Sequence, residues 1–212
     1  MIEYIVPGNI DDRILAKAAE LLKKGGTVAI PTDTSWSIVC SMNSRDGLKR
    51  LRSLSREKDE SRFTLLCSDI SQFGEFCSLD NTRFRLIKRL TPGPYVFILK
   101  TLLGTEKTLG LRRQEVGIRL PDYPVPLSLI NTLCCPLYGV TAKRGMLSTE
   151  EVVQDPTDEE TLFEGAWELE DIPALDLVLD PGEDQKRIFT TVLDLSSGEI
   201  QVLRQGAGHW PV

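Results

Sequence analysis

Several stretches of this chain place hydroxyl or positively charged side chains where the hydrophobic pattern breaks. The apolar run Thr27-Val28-Ala29-Ile30 stops at Pro31 and is followed by Thr32, Asp33, Thr34, Ser35 and Trp36. A charged connection after a helical pattern holds Arg56, Lys58 and Arg62. Arg119 sits inside the apolar run 116–120, Thr141, Lys143 and Arg144 close the run that starts at Leu137, and Thr190 and Arg204 mark the last two apolar runs. Guanidinium forks together with short hydroxyl donors are what a phosphate or nucleotide requires. A buried strand running into small hydrogen-bonding side chains is also how open α/β sheets present a ligand crevice. For 32–35 the alternative is a proline-initiated turn whose Thr and Ser cap a helix. No Walker A loop and no GxGxxG follows a strand, so the common nucleotide fingerprints are absent. His209 is the only histidine, so neither a Ser-His-Asp triad nor a histidine metal centre is expected, and no catalytic or metal-ligating residue is assigned.

The elements that must position these groups alternate between helix and strand. Residues 1–7 read as a short strand or arm. Residues 11–24 follow as a helix carrying Ile14, Leu15, Ala18, Leu21 and Leu22, with Asn9 or Asp11 as its cap and Gly25-Gly26 as its stop. Strands are expected at 26–30, 37–41, 63–67, 95–99, 116–120, 137–141, 175–179 and 190–195. Ser197-Gly198 turns the last of these into 200–204. Helices are expected at 44–56, 69–77, 80–90 (with Phe84, Ile87 and Leu90 inward) and 125–134, with Thr91-Pro92-Gly93-Pro94 a sharp stop. Short connections between alternating elements argue an α/β fold. The closing hairpin argues a mixed rather than all-parallel sheet.

The chain has 212 residues, 41% of them hydrophobic and 26% charged, which suits a single domain with a sizeable core. No apolar run reaches membrane-spanning length and no signal segment opens the sequence, so the expected setting is the cytoplasm without membrane contact. Five cysteines in no CxxC pattern read as buried thiols. The net charge of −6 is unevenly spread. Residues 45–144 contain 18 Lys/Arg against 10 Asp/Glu, whereas 145–212 contain 3 against 16. A basic middle between acidic ends points to a local anionic ligand rather than a general nucleic-acid sheath. The acidic stretch 148–171 reads as a solvated, partly helical surface segment.

The stretches Gly26-Thr27-Val28-Ala29-Ile30-Pro31-Thr32-Asp33-Thr34, Thr91-Pro92-Gly93-Pro94, Gly117-Ile118-Arg119-Leu120-Pro121, Thr191-Val192-Leu193-Asp194-Leu195 and Val202-Leu203-Arg204-Gln205-Gly206-Ala207 together resemble the YrdC/YciO family. Order and spacing match over roughly 10–207, and the wording of Phe63-Thr64-Leu65-Leu66-Cys67 and Thr91 to Lys100 is similar to the YciO branch. The resemblance implies a three-layer α/β fold with a twisted mixed sheet and a large concave cavity. It implies, for the family's enzymes, synthesis of threonylcarbamoyl-adenylate from threonine, bicarbonate and ATP for a tRNA adenosine modification, and an association with double-stranded RNA. By position, Thr32, Thr34, Trp36, Arg119 and Thr190 match the substrate side. Arg56, Lys58, Arg62, Thr141, Lys143, Arg144 and Arg204 would serve the nucleotide and its phosphates, with Mg²⁺ arriving with ATP. Such chemistry rests on positioning and charge stabilisation.

This sequence departs from the synthase pattern on the phosphate side. Ser55 and Glu57 stand where synthases carry a Lys-x-Arg pair, and Arg56 and Lys58 are one residue along. Gly139-Val140-Thr141-Ala142-Lys143 replaces Ser-Thr-Ser-Ala-Asn, Trp36 replaces a tyrosine, and Cys67 replaces a polar residue. The leading expectation is a YciO-type protein that binds a nucleotide or other phosphorylated ligand with weak or no synthase activity. The alternatives are an active synthase and a non-catalytic RNA-binding module.

Overall fold

The computed structural model describes residues 1–55, 63–103, 114–147 and 157–210. Arg56, Lys58 and Arg62 lie outside the described residues, as does 148–156 of the acidic stretch.

Helix α1 (Asp12–Lys23) begins where the Asp11 carboxylate accepts the Arg13 N–H at 2.8 Å. It ends at Lys24 and at Gly25, whose φ of 85° is conformationally open only to glycine. The chain then enters β2 (Val28–Ile30), which follows the edge strand β1 (Ile2–Tyr4), and returns in β3 (Ser37–Ser41). Helix α2 (Arg45–Ser55) buries Leu48, Leu51 and Leu54, the three-residue repeat visible in the sequence. Then come β4 (Thr64–Leu66), α3 (Ser71–Phe76), α4 (Asn81–Leu90), β5 (Tyr95–Lys100), β6 (Glu115–Arg119), α5 (Pro124–Leu133) and β7 (Leu137–Thr141). Short 3₁₀ turns occupy Arg144–Met146, Glu159–Thr161 and Ala166–Leu169, before β8 (Leu177–Asp180), β9 (Thr191–Asp194) and β10 (Gln201–Arg204).

Among the described residues, ten strands form one sheet in the order β1-β8-β2-β3-β7-β4-β6-β5-β9-β10. Pairs β1–β8, β2–β8, β4–β6 and β5–β9 are parallel and the others antiparallel, so the sheet is mixed. Alternate residues divide between two cores, as the period of a strand requires. Ala29, Ile38, Cys40, Tyr138, Val140, Leu65, Ile118 and Phe97 face a core shared with α2, α3, Ile87 of α4 and the 162–172 stretch. Val28, Ile30, Val39, Leu66, Leu137, Leu177 and Leu179 face the other, with α1 and α5. The result is three layers.

Three expectations change in detail. Phe84 of α4 is exposed, because the inward stripe is Ile87, buried, with Arg83, Leu86 and Leu90, half-buried, at i, i+3, i+4 and i+7, and Phe84 lies one residue off it. Cys134 is the exposed left-handed cap of α5, while the other four cysteines are buried. The acidic stretch is not simply solvated surface. Leu162, Phe163 and Leu169 are fully buried and Ile172 nearly so, and Leu162 bridges Lys143 in antiparallel fashion, with the carboxylates mostly left on the outside.

Candidate functional site

The loop after β2 is built around one hydroxyl. Thr32 Oγ1 donates to Ser35 O at 2.7 Å and accepts from the backbone N–H groups of Thr34 and Ser35, both at 3.2 Å. It also lies 3.1 Å from Thr34 Oγ1. A hydroxyl has one proton to give. Thr32 spends its proton on Ser35 O, so Thr34 is the donor in that pair. Thr34 Oγ1 in turn accepts from Arg119 Nη2 at 3.2 Å. The same Nη2 meets Asp33 Oδ1 at 2.5 Å in a buried ion pair, with side-chain exposures of 7% for Arg119 and 13% for Asp33. Burial lowers the Arg119 pKa below the ordinary arginine value, and the Asp33 carboxylate opposes that shift. Asp33 Oδ2 and Arg119 Nε are buried without a hydrogen-bond partner among the described residues.

Arg119 can reach this loop because of the face on which it stands. Leu66 pairs with both Arg119 and Leu137, and Thr64 with both Gly117 and Gly139. Ser37 pairs with Thr141. These positions all project from the face that α1 and α5 cover over the β2–β3 half of the sheet. Beyond that cover the face is lined by Ser37, Thr64, Gly117, Gly139 and Thr141, which are small. A Cβ on Gly139 would lie 2.9 Å from Ser37 Oγ, so the glycine is what lets β3 and β7 pack with that serine between them. Arg119 and Thr141 end antiparallel strands and so stand at opposite ends of the strands. Sheets twist by about 20–25° per strand, so strands three or four apart cross at roughly 60–100°. The loop can then fold across the face to meet Arg119.

The same twist assembles a second cluster. The Lys143 ammonium lies 5.5 Å and the Arg204 guanidinium 4.8 Å from the centroid of the Phe189 ring, although β7 and β9 are four steps apart in the sheet. Both contacts are in cation–π range. Arg204 also donates from Nε to Thr190 O and from Nη2 to Thr190 Oγ1, each at 2.9 Å. Gly206 permits this arrangement, since a Cβ there would overlap Phe189 O and the Thr190 carbonyl. The two clusters are joined through the 32–36 loop, because Ala142 N donates to Trp36 O at 2.9 Å just before Lys143.

A model of the Sua5/YciO/YrdC family, described as "Telomere recombination", matches residues 20–206. The chain belongs to this family. It is 31% identical over 207 residues to YciO of Escherichia coli (strain K12), covering 97% of this chain and 95% of that protein. It is 27% identical over 199 residues to threonylcarbamoyl-AMP synthase of Mus musculus, covering 91% of this chain and 66% of the mouse protein. The crystal structure of E. coli YciO superposes with a TM-score of 0.82 at 29% identity, covering 99% and 97% of the two chains. P. abyssi Sua5 complexed with L-threonine shares the fold with a TM-score of 0.78 at 20% identity, covering 97% of this chain and 57% of that one.

In this Sua5/YciO/YrdC protein, Thr32, Thr34 and Arg119 meet at one cluster and Lys143, Thr190 and Arg204 at the other, while Thr141 ends β7 opposite Ser37. Trp36, expected on the substrate side, is instead fully buried in the core with its indole N–H donated to Glu164 O at 2.8 Å. Arg144, expected at the phosphates, is held by Glu168 at 2.5 Å and lies over the Phe163 ring at 5.3 Å. Asp33, Phe189 and Glu168 were not singled out as site residues, though Asp33 stood in full view between the two threonines. Among the described residues no cluster of three or more His, Cys, Asp or Glu side chains is placed to hold a metal, so no protein ligands are assigned to Mg²⁺. Burial pushes the Cys40 and Cys77 thiols up to about 12, away from thiolate character. Among the described residues no helix is long and apolar enough to cross a membrane.

Proposed function

We propose that this chain is a YciO-type member of its family that binds a nucleotide or related phosphorylated ligand, with weak or no threonylcarbamoyl-adenylate synthase activity. The observation that carries the reading is the convergence of Lys143 and Arg204 on Phe189 beside the Thr190 hydroxyl. An ammonium and a guanidinium brought to one ring beside a hydroxyl are the donor types that an anionic phosphate group takes. On this reading the small-residue face from Gly117 to Thr141 is the floor of the cavity, the Lys143–Arg204 cluster takes phosphate, and Arg119 takes a carboxylate. The low-activity half of the reading draws on Arg144 being neutralised by Glu168 and on Glu57 standing within the charged connection. The five free thiols suit a reducing compartment, in keeping with a cytoplasmic protein.

A calorimetric titration with ATP or AMP should give saturable binding that Arg204→Ala abolishes. An unchanged affinity in that variant would contradict the assignment. One observation favours a working synthase as the second reading. The Thr32–Thr34–Arg119 end is fully assembled, and named synthases are among the relatives. That reading requires threonine-dependent release of pyrophosphate from ATP in the presence of bicarbonate and Mg²⁺, and a folded sample that binds ATP without such release would exclude it.

A further inference from the structure

We propose that the cavity where β5 and β9 end is a second anion site, which takes a single phosphate group and is separate from the Lys143–Arg204 cluster. The cavity measures about 190 Å³ and has Ser78, Arg83, Lys100, Ser196 and Ser197 in its walls. Thr190, beside Arg204, leads into β9 and Leu195 leads out of it, so roughly 15 Å of strand separates the two places. The walls are fixed to one another. Ser78 N donates to Lys100 O and Leu195 N to Ile98 O, each at 2.9 Å. Arg83 of α4 donates from Nε to Leu195 O at 2.8 Å and from Nη2 to Ser197 O, which holds the 195–198 turn against the helix.

The donors left over decide what fits. Arg83 pairs with Asp80 through Nη1, so its charge is balanced. It uses one N–H on each nitrogen, and two of the guanidinium's five stay open. Lys100 is balanced by nothing. Its ammonium makes no hydrogen bond or ion pair among the described residues, although Glu115 stands opposite it in the β5–β6 register. The Ser78 and Ser196 hydroxyls have no partner among the described residues either, and no carboxylate is among the described residues that line the cavity. An uncompensated ammonium, two guanidinium N–H groups and two hydroxyls form a donor-rich set around a small space. A phosphate group carries about −1.5 to −2 charge near pH 7 and spreads its acceptor oxygens tetrahedrally, so it meets donors arriving from several walls. A carboxylate has two oxygens in one plane and would leave part of the set unfilled. The volume is below the roughly 300–1,000 Å³ of pockets that enclose a whole small-molecule ligand, so the cavity suits the phosphate and not a nucleotide around it.

The test is calorimetric titration of inorganic phosphate, glycerol 3-phosphate and acetate, at matched ionic strength, into Arg204→Ala. That background removes the arginine of the other cluster, so phosphate binding there reports on the cavity. Phosphate should bind saturably and acetate should not. Binding of the ester as well would make a phosphorylated molecule the source, and its exclusion would make free phosphate the source; both outcomes keep the site. Adding Lys100→Ala should weaken phosphate binding about tenfold or more. Lys88→Ala, which removes an exposed charge of α4 outside the cavity, should leave it unchanged. Lys100→Ala alone, an exposed position, should likewise remove one class of phosphate site from the otherwise unaltered protein. No binding of phosphate or ester to Arg204→Ala and to the unaltered protein would overturn the proposal. So would equal losses in Lys100→Ala and Lys88→Ala, which would reduce the effect to net charge.

Discussion

Thr32 is a structural residue first. Its hydroxyl satisfies two backbone N–H groups and one carbonyl in a loop that is almost wholly buried. Thr32→Val keeps the shape and strands those groups, and leaving a buried polar group unmade costs about 1–3 kcal/mol. Urea unfolding should therefore show Thr32→Val destabilised by about 2 kcal/mol or more and Thr32→Ser much less; equal stability of the two variants would show that the hydroxyl does not hold the loop. The types and places of Thr32, Thr34, Arg119 and Arg204 were legible in the sequence because each ends a strand or follows one. Their partners were not. Asp33 and Arg119 are 86 residues apart, and nothing local announces that they meet. Phe189 was invisible for a different reason: a single aromatic beside a strand usually packs in a core, and here it packs while also supporting two cations.

Nearly all the elements are legible in the periodicity, since strands with alternating faces and helices with apolar stripes leave strong patterns. The misread element is the acidic segment. Its carboxylates suggested solvation, and its 3₁₀ turns have no 3.6-residue period to betray the buried Leu162, Phe163 and Leu169. Glu168 is its anchor. The carboxylate accepts from Glu164 N at 2.9 Å and Gly165 N at 3.0 Å and binds Arg144. Burial alone would raise its pKa, but those two N–H groups and Arg144 together outweigh it and bring the value below the ordinary glutamate range. A depressed carboxylate stabilises the fold above its unfolded pKa and loses that contribution as the pH falls through the folded value. The stability gap between the unaltered protein and Glu168→Gln should thus be constant above about pH 5 and shrink on acidification. A gap independent of pH down to acid unfolding would show that the charge on Glu168 does not anchor the segment.

At the scale of the molecule, alternating elements and a closing hairpin indicate an α/β protein with a mixed sheet, the charge distribution indicates a local rather than general attraction for anions, and the observed sheet agrees with the first of these. Strand order was beyond the sequence. β8 inserts between β1 and β2, and β4 and β6 between β7 and β5, so the neighbours come from distant parts of the chain. That order matters because Arg119 meets Asp33, and Lys143 and Arg204 meet over Phe189, from strands that run in opposite directions and lie several steps apart in the sheet. The two clusters are therefore one property of the whole sheet, linked through the 32–36 loop. Isothermal titration of ATP into the unaltered protein and Arg204→Ala, under identical conditions, tests this most directly. The account predicts saturable binding in the unaltered protein and its loss in the folded variant. No binding at millimolar ATP, or equal binding in both, would contradict it.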